Sequence, residues 1–147
     1  MENEKRFYIL VPKTVQVKTV VNTQHMVSST IETYPVETIT SFRMVPGRLL
    51  AQTFHIGRKI ESWRRSLGIQ YEDITAISLS VRNTRELQKV SKELMSFKLR
   101  EPAFYDEFYD TNLDFYGTTD SVQTATVIGP VFKEELDSII GHLELYE

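Results

Sequence analysis

The chain has 147 residues, of which 41% are hydrophobic and 25% are charged, and its formal net charge is -3. This length and composition are typical of one globular domain with a core of its own, so residues 1–147 are expected to form a single domain. The small negative charge argues against general nucleic-acid binding, although a local basic face could still bind RNA. The absence of cysteine excludes disulfides, thiolate catalysis and cysteine-bound metal, and it fits a cytoplasmic protein.

The N-terminal segment MENEKRFYILVP has charged residues and then a short apolar run. Pro12 and Lys13 follow this run without a small-residue cleavage site, so a signal peptide is not expected. No run of about 18 apolar residues occurs, so no membrane-spanning helix is expected either.

The first part of the chain predicts one buried strand and a β-rich insertion. RFYILV, residues 6–11, is a continuous apolar run of the kind found in buried strands, and Pro12 is expected to end it. Residues 12–43 are dense in Thr and Val. Within them VQVKTVV and VETITSF alternate with a period of two around the connection NTQHMVSST. This pattern predicts an extra β-hairpin.

A long amphipathic helix is predicted next. It begins at Pro46 or Gly47, runs to Ser66 and stops at Gly68, because glycine is common just past a helix C-terminus. Helical spacing places a set of apolar residues on one core-facing side: Leu49, Ile56, Ile60, Trp63 and Leu67.

The second part of the chain predicts alternating strands and helices. DITAISLSV, residues 73–81, is typical of a central strand. Asn83 can cap the helix that follows, with Glu86 as its reciprocal partner. The buried side of this second helix is predicted to hold Leu87, Val90, Leu94 and Met95.

The C-terminal third predicts two strands, a short helix and a final extended piece. AFYDEFYD from Ala103 is predicted to form an aromatic strand, and VQTATVIGP from Val122 is predicted to form a strand that ends in a Gly-Pro turn. FKEELDSII from Phe132 is a short helix, and HLELY is the last extended segment. The order predicts an α/β fold with a mixed β-sheet of about four core strands, flanked by helices and carrying the extra hairpin.

A polar stripe on the long helix is the main candidate site. Arg48, Gln52, His55 and Lys59 are spaced four, three and four apart, so they lie within about 40° of one another around the helix. Arg48 and the free N–H groups of the first turn suit an anion, and His55 could activate a water near neutral pH. On spacing alone, the solvent-facing side of a surface helix is the commoner explanation.

Three segments of the chain resemble motifs of the type 2 peptidyl-tRNA hydrolases, the archaeal and eukaryotic kind. GRLLAQTFH, residues 47–55, is similar to the family's helix-opening pattern G-K-x-A-A-Q-x-x-H-A. TVIGP at 126–130 resembles its strand end T-V-L-G-I-G-P, and GHLELY at 141–146 resembles its terminal G-H-L-K-L-Y. The three occur in the family's order, with a strand and a helix between them.

The resemblance implies hydrolysis of the ester that joins a peptide to the 3′ ribose of tRNA, without a metal or organic cofactor. Gln52 and His55 match the family motif directly, and Arg48 takes the place of its lysine. A guanidinium stays protonated, so Arg48 could stabilise an oxyanion or hold phosphate but could not be the base. The implied partner is tRNA or peptidyl-tRNA. Family members often pair as dimers, and the sequence leaves the oligomeric state open.

The chain departs from the family at several points. Pro46 stands where the family has an earlier lysine, and residues 12–43 are an insertion into a short connection. The loop before the last long strand has no clean counterpart. Within DTNLDFYGTTDSVQT, residues 110–124, the family's acidic and threonine positions have two candidates each: Asp110 or Asp114, and Thr118 or Thr119.

Two other features have more than one interpretation. The long helix carries a basic cluster, which is either a solvated face or a site for tRNA phosphates: Arg58, Lys59, Arg64 and Arg65. The acidic, aromatic segment from Ala103 is read as a core strand with an acidic loop. The altered loop and the insertion also allow a non-catalytic member of the same fold that binds protein or RNA.

Overall fold

The computed structural model describes residues 5–68, 75–97, 103–110 and 121–146, including the side chains of all of these except 18–21. The helices and strands follow in the order β1 (Lys5–Val27), β2 (Thr30–Arg43), α1 (Pro46–Ser66), β3 (Ala76–Asn83), α2 (Thr84–Ser96), β4 (Phe104–Asp110), β5 (Val122–Phe132), α3 (Lys133–Ile140) and β6 (Glu144–Leu145).

The strands form one mixed sheet, which confirms the predicted α/β fold class. Its order is β4-β5-β1-β3-β6, and β2 pairs with the distal part of β1. The β1–β3 pair is parallel, and the other pairs are antiparallel. One face packs against α2 and α3 around Leu10 and Leu87, and the opposite face packs against α1 around Phe7 and Ile56. The sheet therefore lies between two helical layers. Among the described residues, none of the helices has the length and apolar character needed to cross a membrane.

The prediction that Pro12 ends the first strand was wrong, because β1 continues through Pro12 to Val27. The register of β1 with β5 extends to Leu10, and its register with β2 starts at Thr14. Proline has no N–H to contribute to a ladder. Pro12 falls in the gap between the two antiparallel neighbours, where the strand can pass through it.

The predicted hairpin insertion is present, but its strands are longer than the sequence pattern indicates. NTQHMV, which was predicted as part of the connection, continues β1 and pairs with β2. Ser28 and Ser29 alone form the turn, between the paired residues Val27 and Thr30. Ser28 has a φ of 56°, in the left-handed region that two-residue hairpin turns require. We call this β1–β2 hairpin, from Thr14 to Arg43, the arm.

The predicted Gly-Pro turn at the end of β5 was also wrong, because the strand passes through Gly129 and Pro130 to Phe132. Gly129 has a φ of 142°, and a Cβ built there would lie 2.5 Å from the Arg6 carbonyl oxygen. The β1–β5 register shifts at this point, between Arg6 and Tyr8. Glycine is needed because the two backbones approach closely within the sheet, rather than because the chain turns.

The bounds of α1 agree with the prediction, and Gly68 after it has a φ of 65°. Ile56 is buried, and Leu49, Ile60 and Trp63 are partly buried against the core. Leu67, predicted on the core face, is 48% exposed because it follows the last helical residue.

The second predicted helix, α2, buries three of its four predicted apolar residues: Leu87, Val90 and Leu94. Met95 is 65% exposed, since the burial stripe ends one residue before it. The strand before this helix begins at Ala76, and positions 73 and 74 of its predicted range lie outside the described residues.

The predicted N-terminal cap of α2 is confirmed for the hydrogen bond that the Asn83 side chain accepts. Asn83 Oδ1 accepts from the Glu86 backbone N–H at 3.0 Å. The Glu86 carboxylate reaches back to the N–H of Arg82 at 3.3 Å, rather than to that of Asn83.

Replacing Asn83 with alanine should therefore lower the free energy of unfolding by about 1 kcal/mol, because one N–H of the first turn loses its acceptor. Asn83→Asp puts a carboxylate oxygen where the amide oxygen accepts this bond, so this variant should stay close to the parent protein. Denaturant unfolding of both variants checks this. Equal losses in Asn83→Ala and Asn83→Asp would show that the cap bond is not the cause.

Candidate functional site

The polar stripe of α1 lines a cleft. Arg48, Gln52, His55 and Lys59 all face a cavity of about 780 Å³. The opposite wall is formed by the end of β4, from Glu107 to Asp110, and Thr124 of β5 contributes to the lining. Helical periodicity brings the four α1 residues to one side, and the packing of α1 on the sheet turns that side toward β4.

An ion pair joins Arg48 to the far wall of the cleft. Its Nη1 donates to Asp110 Oδ2 at 2.8 Å, and both side chains are partly buried. The bond holds the guanidinium near the first turn of α1, where backbone N–H groups and the helix dipole also favour an anion. Of the acidic and threonine candidates in residues 110–124, Asp110 alone lies within the described residues, as the last residue of β4. Asp114, Thr118 and Thr119 lie outside them.

Two more stripe residues are held by hydrogen bonds to the neighbouring strands β4 and β5. Gln52 Nε2 donates to the Thr124 carbonyl at 3.1 Å, which fixes the orientation of the amide. Lys59 Nζ donates to Asp106 Oδ2 at 2.9 Å and lies 5.3 Å from the Phe108 ring centre. The side chain of His55 is exposed and lines the cleft. Its ring packs edge-on against the Phe54 ring, with 6.1 Å between the ring centres.

The predicted basic cluster divides into two groups. Arg58 and Lys59 line the cleft, with the Arg58 guanidinium 5.8 Å from the Phe54 ring centre. Arg64 and Arg65 instead bond to Glu61 at 2.6 and 3.2 Å, and the hydrogen bond from Arg64 lowers the pKa of that carboxyl group. Arg58 and Lys59 therefore contribute positive charge to the cleft, whereas Arg64 and Arg65 form ion pairs within the helix.

Sequence reasoning predicted Asp110 of β4 as a site residue but missed its neighbours Glu107, Phe108 and Tyr109. Glu107, Phe108, Tyr109 and Asp110 are consecutive, and all four line the cleft. A regular strand would point alternate residues to opposite faces. The β4–β5 register shifts between Phe108 and Tyr109, and such an irregularity redirects side chains. No pattern of alternating polarity in the sequence indicates where this shift occurs.

Glu107 accepts two tyrosine hydroxyls at the edge of the cleft. Tyr105 and Tyr109 each donate to it at 2.8 Å. Burial, followed by the Glu107 carboxylate, raises the pKa of Tyr105. For Tyr109 the hydrogen bond to Glu107 is the largest cause of a raised pKa. Both phenols are therefore held in the neutral, donating form.

These raised pKa values predict a loss of stability at alkaline pH. The folded state holds the two phenol protons more tightly than the unfolded state, so the stabilisation is complete below the unfolded tyrosine pKa of about 10. It is lost as pH rises from there through the folded values. Unfolding free energies measured from neutral to strongly alkaline pH should fall less steeply for Tyr105→Phe than for the parent. Tyr34→Phe, on the arm, is the matched control and should keep the parent slope. Identical slopes for the parent and Tyr105→Phe would contradict the prediction.

The described residues include no group of three or more His, Asp or Glu side chains that could hold a metal ion. In the cleft, His55 and Gln52 can orient a water molecule, and Arg48 and Arg58 can donate hydrogen bonds to an anion. In comparisons with known proteins, no protein-family model and no curated protein matches the chain.

Proposed function

We propose that the cleft hydrolyses the ester between a peptide and the 3′ ribose of tRNA. The observation that carries this proposal is the convergence of Arg48, Gln52, His55 and Asp110 on one cavity. The first three are the residues that the resemblance to type 2 peptidyl-tRNA hydrolases selects. Asp110, the last residue of β4, is one of the two acidic candidates from residues 110–124.

The proposed reaction needs a water, a proton acceptor and a donor to the oxyanion. His55 accepts a proton from water as its oxygen attacks the ester carbonyl carbon, and the Gln52 amide helps to orient that water. Arg48, held by Asp110, stabilises the negative carbonyl oxygen of the tetrahedral intermediate. The bond from carbon to the ribose oxygen then breaks, and His55 gives the proton to that leaving oxygen, which becomes the 3′ hydroxyl.

Binding of tRNA would use the cations at the cleft mouth. Arg58 lines the cleft and stacks near Phe54, and Lys59 lies one residue further along α1. Phosphate contacts release counterions, so affinity should fall as salt rises.

The test is release of free tRNA from a peptidyl-tRNA analogue by the purified chain. Turnover above the spontaneous rate, with a rate that saturates in substrate, is expected. Absence of turnover at every substrate concentration would overturn the enzymatic proposal. Arg58→Ala should weaken binding of the analogue, whereas Arg65→Ala, which removes a cation bonded to Glu61, should leave binding close to the parent value.

A second candidate is a non-catalytic module that binds protein or RNA with the same fold. It is favoured by the bonds that already engage Arg48, Gln52 and Lys59 within the chain. It predicts saturable tRNA or partner binding without release of free tRNA. Deleting residues 20–37, which leaves the buried Val15 and Val17 in place, should then abolish partner binding with the core still folded, if the arm provides the contact. Turnover that depends on His55 would contradict this candidate.

A further inference from the structure

The arm is a two-stranded structure for most of its length. β1 and β2 pair at fourteen positions, from Thr14↔Arg43 to Val27↔Thr30. At about 3.4 Å per residue the arm is about 45 Å long. The register with β3 ends at Thr14↔Asn83, and no third strand among the described residues pairs with positions 16–27. An isolated two-stranded hairpin is only marginally stable in water, so a further strand would stabilise it.

The hydrogen-bond alternation shows which backbone groups face outward from β1. Val27 and Thr30 flank a two-residue turn, so they form a hydrogen-bonded pair, and every second pair along the regular register does the same. Even-numbered residues of β1 therefore point their N–H and C=O away from β2. Gln16 bears this out, since its N–H donates to the Thr84 hydroxyl on the β3 side at 2.9 Å. Residues 18, 20, 22, 24 and 26 continue this open edge.

The outer edge of β2 is protected in a way that the edge of β1 is not. Pro35 pairs with Asn22, a position where the backbone nitrogen of β2 faces outward. Proline has no N–H there, and proline at such positions blocks the addition of another strand. The neighbouring Glu32 and Glu37 add negative charge. Residues 16–27 of β1 contain no proline, and Lys18 is their one formally charged residue.

We propose that the open edge of β1 pairs with the same edge of a second copy of the chain. The two β1 strands run antiparallel about a two-fold axis at Asn22, giving a four-stranded sheet in the order β2-β1-β1-β2. Position 18 of one copy then lies opposite Met26 of the other, so the two lysines do not meet.

The register of this pairing sets which positions lie side by side. Ile31 pairs with Met26 within one arm, and Lys18 pairs with Ile39 within the other. These four positions form one row, in which Lys18 of one copy separates its own Ile39 from Met26 of the other copy. Met26, Ile31 and Ile39 are 68%, 60% and 62% exposed in the single chain. Met26 and Ile31 are apolar cross-strand neighbours within each arm, and pairs of this kind stabilise a sheet.

A second copy satisfies the edge in a way that an unrelated peptide does not. A two-fold pairing is isologous, so one contact closes both open edges and leaves none to recruit further chains. Edge-to-edge pairing leaves both faces of the arm exposed, so it buries well under the roughly 800 Å² per partner that stable interfaces bury. We therefore expect a dimer that dissociates on dilution.

Matched proline variants test which edge is used. Gln24 and Thr33 face each other in a pair whose N–H groups both point outward, on opposite edges of the arm. Gln24→Pro removes a donor from the β1 edge and should weaken dimerisation at least about tenfold. Thr33→Pro removes a donor from the β2 edge and should leave the dissociation constant within about twofold. Sedimentation equilibrium across a dilution series measures both, and circular dichroism checks that each variant folds.

Two lysine variants test the same pairing without proline, in case a proline disturbs the fold of the arm. Met26→Lys places a second cation opposite Lys18 of the other copy, and like charges in this position repel. Ile31→Lys, on the same face but on the outer strand, should have a smaller effect. A parent chain that stays monomeric up to its solubility limit would overturn the proposal. So would dimers lost in Thr33→Pro and Ile31→Lys but kept in Gln24→Pro and Met26→Lys.

Fluorescent labels test the position of the two-fold axis. The sequence has no cysteine, so Asn22→Cys provides a single site for a pyrene label. Labels next to the two-fold axis should give excimer emission that disappears on dilution. Ser66→Cys, at the end of α1, should give none. Excimer from Ser66→Cys with none from Asn22→Cys would place the contact between copies elsewhere.

Discussion

Replacing His55 with alanine is expected to reduce turnover of a peptidyl-tRNA analogue by at least about 100-fold. In the proposed reaction the imidazole accepts the proton of the attacking water, and alanine cannot. The ring is exposed and its main described contact is with Phe54, so the loss of activity should come with little loss of stability. The effect should fall on kcat, because in the proposed complex other residues bind the tRNA phosphates.

The two remaining histidines provide matched controls for this variant. His25 lies on the exposed arm beside Tyr34, and His142 lines a different cleft. His25→Ala and His142→Ala should each retain turnover within about twofold of the parent, since neither side chain lines the α1–β4 cleft. Initial rates over a range of substrate concentrations separate kcat from KM. If His55→Ala turns over as fast as these controls, His55 is not the proton acceptor.

Gly129→Ala is expected to lower the free energy of unfolding by about 3 kcal/mol or more. Its φ of 142° lies in a region that residues with a Cβ rarely adopt. The added methyl would also lie 2.5 Å from the Arg6 carbonyl oxygen and 2.9 Å from the Phe7 Cα. Both contacts are with backbone in the centre of the sheet, so neither can be relieved by turning a side chain.

Gly57→Ala is the matched control for this glycine. Gly57 lies within α1, and a Cβ there would meet no atom within 4 Å. Alanine is favoured over glycine inside a helix by about 1 kcal/mol, so this variant should be as stable as the parent or more stable. Denaturant unfolding of both variants gives the comparison. A Gly129→Ala protein as stable as Gly57→Ala would contradict the close approach of β1 and β5.

Local signals determined much of the fold. The apolar period of residues 46–66 and the glycine at position 68 defined α1, because helix burial and termination depend on neighbouring residues in the sequence. The Asn83 cap was predictable for the same reason. The spacing of Arg48, Gln52, His55 and Lys59 also determined that they share one side of the helix.

Tertiary structure decided what these local signals leave open. Pro12 and Gly129-Pro130 were predicted to end strands, but both lie within strands. At Pro12 neither of the antiparallel neighbours, β2 and β5, needs a backbone N–H. At Gly129 the backbone of β1 lies too close for a residue with a Cβ. Glu107 and Tyr109 line the cleft on either side of a register shift in β4, and β-sheet register depends on partners distant in sequence. By itself the sequence determined which residues form the polar stripe of α1. Only the packing of α1 against β4 decided that the stripe faces Asp110 across a cleft, since that contact joins residues 62 positions apart.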